Sequence, residues 1–291
     1  MASMRDIKRR KAGIQSTQQI TKAMKLVSTV KLQRAKTRAL QSKVYFNSMY
    51  QTVTSLLAKT GNIDVPYIKP AETTRKAVIV LTSNRGLAGG YNSNIVKLLT
   101  QGEWPKEDID VYAIGKKGRD LLKRRGYTIK ADHSELSDEF CYGDAIKVCN
   151  EVMKSFEAGE VGEIYLAYTN FKNTVSHVPT LLKLLPILPG EFGEDIDVDG
   201  DGLPDKLLMN FEPKDEEALK MIIPKYVTSL IFGALIEADA SENGARMQAM
   251  DSATNNAEEM IGELTLKYNR ARQGSITQEL TEIIAGAEAI S

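Results

Sequence analysis

Residues 247–271, MQAMDSATNNAEEMIGELTLKYNRA, set Met247, Met250, Thr254, Ala257, Ile261, Leu264, Tyr268 and Ala271 at alternating spacings of three and four. A 3.5-residue repeat keeps one stripe facing a partner as a helix winds, so this is a coiled-coil seam. The other end of the chain has the same rhythm. Residues 32–56, LQRAKTRALQSKVYFNSMYQTVTSL, carry Leu32, Ala35, Ala39, Ser42, Phe46, Met49, Val53 and Leu56 in alternation. No proline interrupts residues 3–58, and Gly13 is the only glycine there. A second C-terminal run, Ile276, Leu280, Ile283, Ala287 and Ile290, continues the repeat after an offset. At the helical rise, helices of some 55 and 65 residues extend ~80 and ~95 Å, far beyond the domain between them. The fold class expected is α/β: a long antiparallel coiled coil of residues 1–60 and 213–291, with a Rossmann-like α/β domain at 61–212.

The charges explain why the two ends should pair with each other. The chain holds 38 basic and 38 acidic side chains, but residues 1–60 carry thirteen basic ones against Asp6 alone. Residues 237–291 carry ten acidic side chains against four basic ones. A basic helix attracts an acidic one and repels a copy of itself, which favours an intramolecular pair. The positive charge left over on the first helix should meet something acidic. Lys8-Arg9-Arg10-Lys11 fits a nucleic acid or an acidic protein partner. Earlier in that helix, Ile20, Met24 and Val27 are expected to continue the seam, with a slip of phase near Ser28.

Composition points to a soluble, intracellular protein. No apolar run is read as a transmembrane helix or a signal-peptide core. The basic, hydroxyl-rich start could pass for a transit peptide, but its apolar pattern runs on into the heptads. Cys141 and Cys149 match no metal or redox spacing, and His133 and His177 are isolated, read as surface or satisfied polar groups. Neither a metal nor a cofactor is expected.

Between the helices, Ala77–Leu81 reads as a buried parallel strand. The turn from Thr82 to Asn92 follows, with Gly86, Gly89 and Gly90, and then the helical pattern Ile95, Leu98, Leu99. Phosphates often sit at such turns. These glycines match neither the dinucleotide nor the P-loop spacing, so they are assigned to turn geometry. Val111–Gly115 then Lys117–Arg125 repeats the strand-to-helix unit. A helix over 143–156 leads to a strand at Glu163–Tyr168, and Thr174–Leu185 supplies another.

Asp195, Asp197, Asp199, Asp201 and Asp205 resemble a calcium loop, but the twelfth position is Lys206 or Leu208 instead of a bidentate acid. An acidic surface insertion is the reading. Pro213 with Asp215, Glu216 and Glu217 starts a helix, which Pro224 is expected to kink or restart. Gly233 and Gly244 are expected to weaken it.

No catalytic triad, metal cluster or complete phosphate loop emerges. Three classes remain: a mechanical coiled-coil protein working inside a partner, a nucleotide-binding Rossmann-like protein with helical extensions, and a nucleic-acid binder. The last lacks base-stacking aromatics, because residues 1–43 contain none.

Three stretches then narrow the choice: residues 14–24, IQSTQQITKAM; residues 85–92, RGLAGGYN; and residues 268–273, YNRARQ, with 275–283, SITQELTEI. Together they resemble the gamma subunit family of the F-type ATP synthase over essentially the full length. The resemblance implies a non-catalytic rotor on the cytoplasmic face of a bacterial membrane, one copy per complex. Its expected partners are the alpha and beta subunits of the ring, the epsilon subunit and the membrane c-ring; no nucleic acid and no direct membrane span are expected. It also implies a catch on a beta subunit at Arg272 and Gln273. Lys8, Arg9, Arg10, Lys11, Met24 and Lys25 would face a collar of acidic loops, and Ile283, Ile284, Ala287 and Ile290 would form a bearing tip. A dithiol switch known in chloroplast members has no counterpart here, and the Asp195–Asp205 insertion is not a family feature.

Overall fold

The computed structural model describes residues 4–59, 67–68, 73–136, 140–174, 176–187 and 215–289. The Asp195–Asp205 stretch, Pro213 and Ile290 lie outside the described residues, as do the side chains of Ser42, Phe46 and Leu56. The elements are α1 (Met4–Lys59), β1 (Lys76–Leu81), α2 (Tyr91–Thr100), β2 (Ile109–Ile114), α3 (Lys116–Arg124), β3 (Thr128–Asp132), α4 (Tyr142–Glu157), β4 (Glu163–Phe171), β5 (His177–Leu185) and α5 (Asp215–Glu288). Two compact units result: Met1–Thr29 with Arg246–Ser291, and Val30–Ala245. Helices α1 and α5 contribute to both.

In the second unit the five strands lie in the order β3-β2-β1-β4-β5. The first four are parallel and β5 runs antiparallel to β4. The chain builds outward from β1 through β2 to β3, then returns by α4 to place β4 on the other side of β1. Neighbouring residues of a strand face opposite sides, and here both sides are covered. Val78, Val80, Val111 and Ala113 pack with Ile95 and Leu99 of α2 and Leu122 of α3. Ala77, Ile79, Leu81, Tyr112 and Ile114 pack with Val148, Val152 and Phe156 of α4 and Leu219, Ile223, Val227, Ile231 and Leu235 of α5. Double cover explains why residues 77–81 and 111–114 read as unbroken apolar runs. The α/β class and the Rossmann-like order expected from sequence are both present.

Several local expectations are corrected. Strand β3 has no counterpart in the sequence reading, because Thr128–Asp132 is a five-residue edge strand with Ile129 as its one branched apolar side chain. Helix α5 runs through Pro224 without restarting. It also contains an 18-residue window with mean hydropathy 1.5, long and apolar enough to cross a membrane by composition, although 56% of that window is buried within the protein. The apolar content of α5 is thus accounted for by the sheet it covers.

Gly244 is required by packing: a Cβ there would lie 2.7 Å from Cε1 of His177. His177 is no satisfied surface group either, since both of its ring nitrogens are buried without a hydrogen-bond partner. Burial pushes its pKa down from the usual imidazole value, which keeps it neutral there.

Two turns of α5 earlier, the Glu237 carboxyl lies near the Phe171 backbone amide, and its Oε2 is buried with no hydrogen-bond partner. Burial pushes this carboxyl up to about 7. The folded-state pKa therefore lies above the unfolded value. Stability tied to the protonated form is fully present below about pH 4.5 and is lost as pH rises through about 7. Glu237→Gln, which is neutral at every pH, should match the parent in thermal unfolding near pH 4.5. It should exceed the parent above pH 7, by a margin of order 2 kcal/mol. A pH-independent difference would show that the carboxyl is solvated.

Candidate partner-binding surfaces

In the first unit, α1 and α5 form an antiparallel hairpin. Lys25 Nζ lies 2.5 Å from Asp251 Oδ1, and Thr254 donates a 2.8 Å hydrogen bond to the Thr21 hydroxyl, so the numbering descends on one helix as it rises on the other. The α5 side is the stripe expected from sequence. Met250, Ala257 and Leu264 are buried, and Met247, Thr254, Ile261, Tyr268 and Ala271 half-buried.

The α1 side differs from expectation. Ile20 and Val27 are 57% and 59% exposed and do not belong to the seam. The covered α1 residues of this unit are Met24 and, at unbroken alternating spacings of three and four, Met4, Ile7, Lys11, Ile14, Gln18, Thr21, Lys25 and Ser28. The same count reaches the buried Leu32 and Ala35 of the second unit, so no phase slip occurs at Ser28. The apolar residues were a misleading guide here. From Gln18 to Ser28 the seam is polar, and Ile20, Leu26 and Val27 form an outward surface.

The expected site residues fall into two groups. Lys8, Arg9 and Arg10 are exposed, Arg9 approaching Asp6 at 3.4 Å; Arg272, Gln273 and Ala287 are exposed on α5. Lys11 and Met24 are half-buried, and Lys25 is turned to Asp251. Past Ser275 the residues Ile276, Leu280, Ile283 and Ile284 are 48–68% exposed, an apolar helix end that no described residue covers. In this half of α5 a Cβ at Gly262, Gly274 or Gly286 would meet nothing within 4 Å.

The glycine turn belongs to the second unit. Gly89 sits in the left-handed region at φ 56°, and so does Leu87 at φ 65°, a conformation a branched side chain rarely takes. Gly86 and Gly90 need no such φ, and a Cβ at Gly86 would find only Lys117 Cε at 3.8 Å. The tightest glycine lies elsewhere: Gly115, at φ 101°, has no room for a Cβ, which would lie 2.0 Å from the Thr82 carbonyl oxygen.

That closeness joins the turn to the start of α3. The N–H groups of Lys116, Lys117 and Gly118 donate to Asn84 Oδ1, the Ser83 carbonyl and Thr82 Oγ1, at 3.0, 3.1 and 2.9 Å. Free amides at a helix start are what a phosphate would use, and these three are occupied. Ser83 N donates to Asn92 Oδ1, closing the turn on itself.

Ligands of open parallel sheets lie beyond the carboxyl ends of the strands where the order reverses, here between β1 and β4. Helix α5 passes that place. Tyr91 donates to the Ala238 carbonyl at 3.3 Å, and Ser241 to the Thr169 carbonyl at 3.0 Å. Ala240, Ser241 and Asn243 are buried there.

Both units, the antiparallel hairpin and the five-stranded sheet, belong to a chain with clear relatives. A family model described as ATP synthase matches residues 3–290. The ATP synthase gamma chain of Lachnoclostridium phytofermentans is 63% identical over 298 residues, with 100% of each chain covered. The sodium ion specific ATP synthase gamma chain of Acetobacterium woodii is 39% identical, with 99% of each covered. A chain in the F1 and c-ring structure of the Euglena gracilis mitochondrial ATP synthase shares the fold, with a TM-score of 0.69 at 21% identity, covering 99% of this chain and 94% of that one. This chain belongs to the ATP synthase gamma chain family.

Proposed function

We propose that this chain, as the central-stalk rotor subunit of an F-type ATP synthase, couples rotation to nucleotide chemistry through separate surfaces of residues 1–60 and 213–291. Residues 61–212 are assigned to the α/β domain. The full-length identity to a gamma chain carries the reading. The asymmetric hairpin supports it: a shaft with a different face toward each catalytic subunit holds each in a different state, which shifts nucleotide affinity by population.

Arg272 and Gln273 are assigned to a catch on one beta subunit. The forked guanidinium donors suit a carboxylate, and the amide both donates and accepts. Lys8, Arg9 and Arg10 are assigned to acidic loops of the surrounding ring, with Lys11 and Met24 at the edge of that contact. The exposed Ile283 and Ile284, with Ala287, suit an apolar bearing. One copy per complex, contact with an epsilon subunit and the c-ring, and a place on the cytoplasmic face of the membrane complete the reading.

Catalysis is assigned to other subunits. The occupied amides at α3 and the course of α5 past the sheet's crevice support this. The isolated chain should bind ATP no more tightly than about millimolar in calorimetric titration. Micromolar affinity would return the nucleotide-binding reading. In the same background, Gly115→Ala should destabilise by several kcal/mol through strain against Thr82, while Gly86→Ala stays within about 1 kcal/mol. Equal melting temperatures would contradict the geometry of the turn.

The catch is tested by Arg272→Ala with Gln273→Ala in the assembled complex. Both residues are exposed, so folding and assembly should be unchanged. ATP hydrolysis should fall about tenfold, the size of a typical coupling free energy of 1–2 kcal/mol. Unaltered hydrolysis would make both residues ordinary helix surface.

A further inference from the structure

Four successive seam positions of α1, Gln18, Thr21, Lys25 and Ser28, are polar, although apolar side chains are close by in the sequence. Ile20, Leu26 and Val27 point outward instead, each more than half exposed. A seam chosen for stability alone would turn the apolar set inward. Polar groups in a coiled-coil seam lower stability and specify register. Lys25 and Asp251 keep 39% and 46% of their side-chain surface exposed, so their attraction adds little stability. Their placement has a different use.

We infer that the Lys25–Asp251 ion pair and the Thr21–Thr254 hydrogen bond form a two-part clasp that fixes the axial register of α1 against α5 in the rotor. The Thr21 and Thr254 hydroxyls lie 2.8 Å apart, and each also has a carbonyl of its own helix within reach, Gln18 at 3.0 Å and Met250 at 2.7 Å, so the pair joins the two helix backbones.

Neither contact defines register alone. Sliding α5 by one heptad in one direction brings Gly244 to Lys25 and Met247 to Thr21, and both contacts are lost. Sliding it the other way brings Glu258 to Lys25, which keeps an ion pair, but sets Ile261 against Thr21. The observed register is the one among the three that sets carboxylate against amine and hydroxyl against hydroxyl at the same time.

The consequence is positional. With residues 21 and 25 opposite 254 and 251, the antiparallel register sets Arg272 and Gln273 level with the start of α1. They then lie within about two turns of Lys8 to Arg10, roughly 10 Å along the axis. Small seam residues such as Ala257 resist sliding poorly. The clasp holds the two polar surfaces at a constant separation when the hairpin is loaded. Lys25 thereby acts as a positioning residue, directed into the hairpin and away from the ring.

The inference rests on the rotor reading for its effect on coupling, and not for the register itself. Two measurements keep these apart. In the isolated chain, cysteines at Gln18 and Ala257 should crosslink within one molecule in the parent background. With Asp251→Lys, crosslinks from position 18 to cysteines at Met250 or Leu264 should appear at comparable yield. In reconstituted vesicles, Asp251→Lys should lower ions pumped per ATP hydrolysed at least twofold. The exchange Lys25→Asp with Asp251→Lys should restore both the single register and the pumping ratio, which a general loss of helix stability would not allow. An unchanged register in Asp251→Lys, or an exchange that fails to restore it, overturns the clasp. Restored register without restored pumping would confine the pair to folding and overturn its role in coupling.

Discussion

The second unit depends on α5 covering one face of a parallel sheet. Parallel strands expose apolar side chains on both sides, and α2 with α3 can close only one of them. Leu219, Ile223, Val227, Ile231 and Leu235, together with α4, close the other. The same helix then approaches the carboxyl ends of the strands, where its backbone accepts Tyr91 and its side chain at Ser241 reaches Thr169. A fold that elsewhere presents a ligand crevice has here a helix as the permanent occupant. The amides at the start of α3 are likewise taken up by the turn after β1.

How much of this was legible depended on where the apolar residues lay. The α5 stripe from Met247 to Ala271 could be read residue by residue, because its apolar side chains face α1. On α1 the same method failed between Gln18 and Ser28. There the polar residues face inward and the apolar ones outward, a pattern that periodicity reads in reverse. Strand β3 escaped because an edge strand needs few branched residues. Gly115 and Gly244 carried no local signal: each is required by an atom distant in sequence, the Thr82 carbonyl or the His177 ring. Glu237 was equally silent, since its buried, unpartnered Oε2 is a product of tertiary packing. The proposed partner surfaces rest on another route. Arg272 and Gln273 stand in the stretch with the strongest family resemblance, whereas physical pattern alone gives a solvated helix surface.

Charge divides the hairpin's work. The basic excess of residues 1–60 and the acidic excess of residues 237–291 bring the helices together without committing each side chain to a partner. Lys25 and Asp251 commit to each other; Lys8 and Arg10 remain directed outward. Attraction that is general over most of the length and specific at one place lets two weakly packed helices behave as one body.

The last turns of α5 raise a matter of assembly. Gly262, Gly274 and Gly286 lie on open helix surface, and each lowers helix propensity by about 1 kcal/mol relative to alanine. Beyond Ser275 no packing offsets that loss, since Ile276, Leu280, Ile283 and Ile284 are all open to solvent. This end of the helix draws its order from whatever encloses it more than from its own backbone. A rod whose leading end stiffens only on entry can be threaded into a narrow sleeve before its final alignment is fixed.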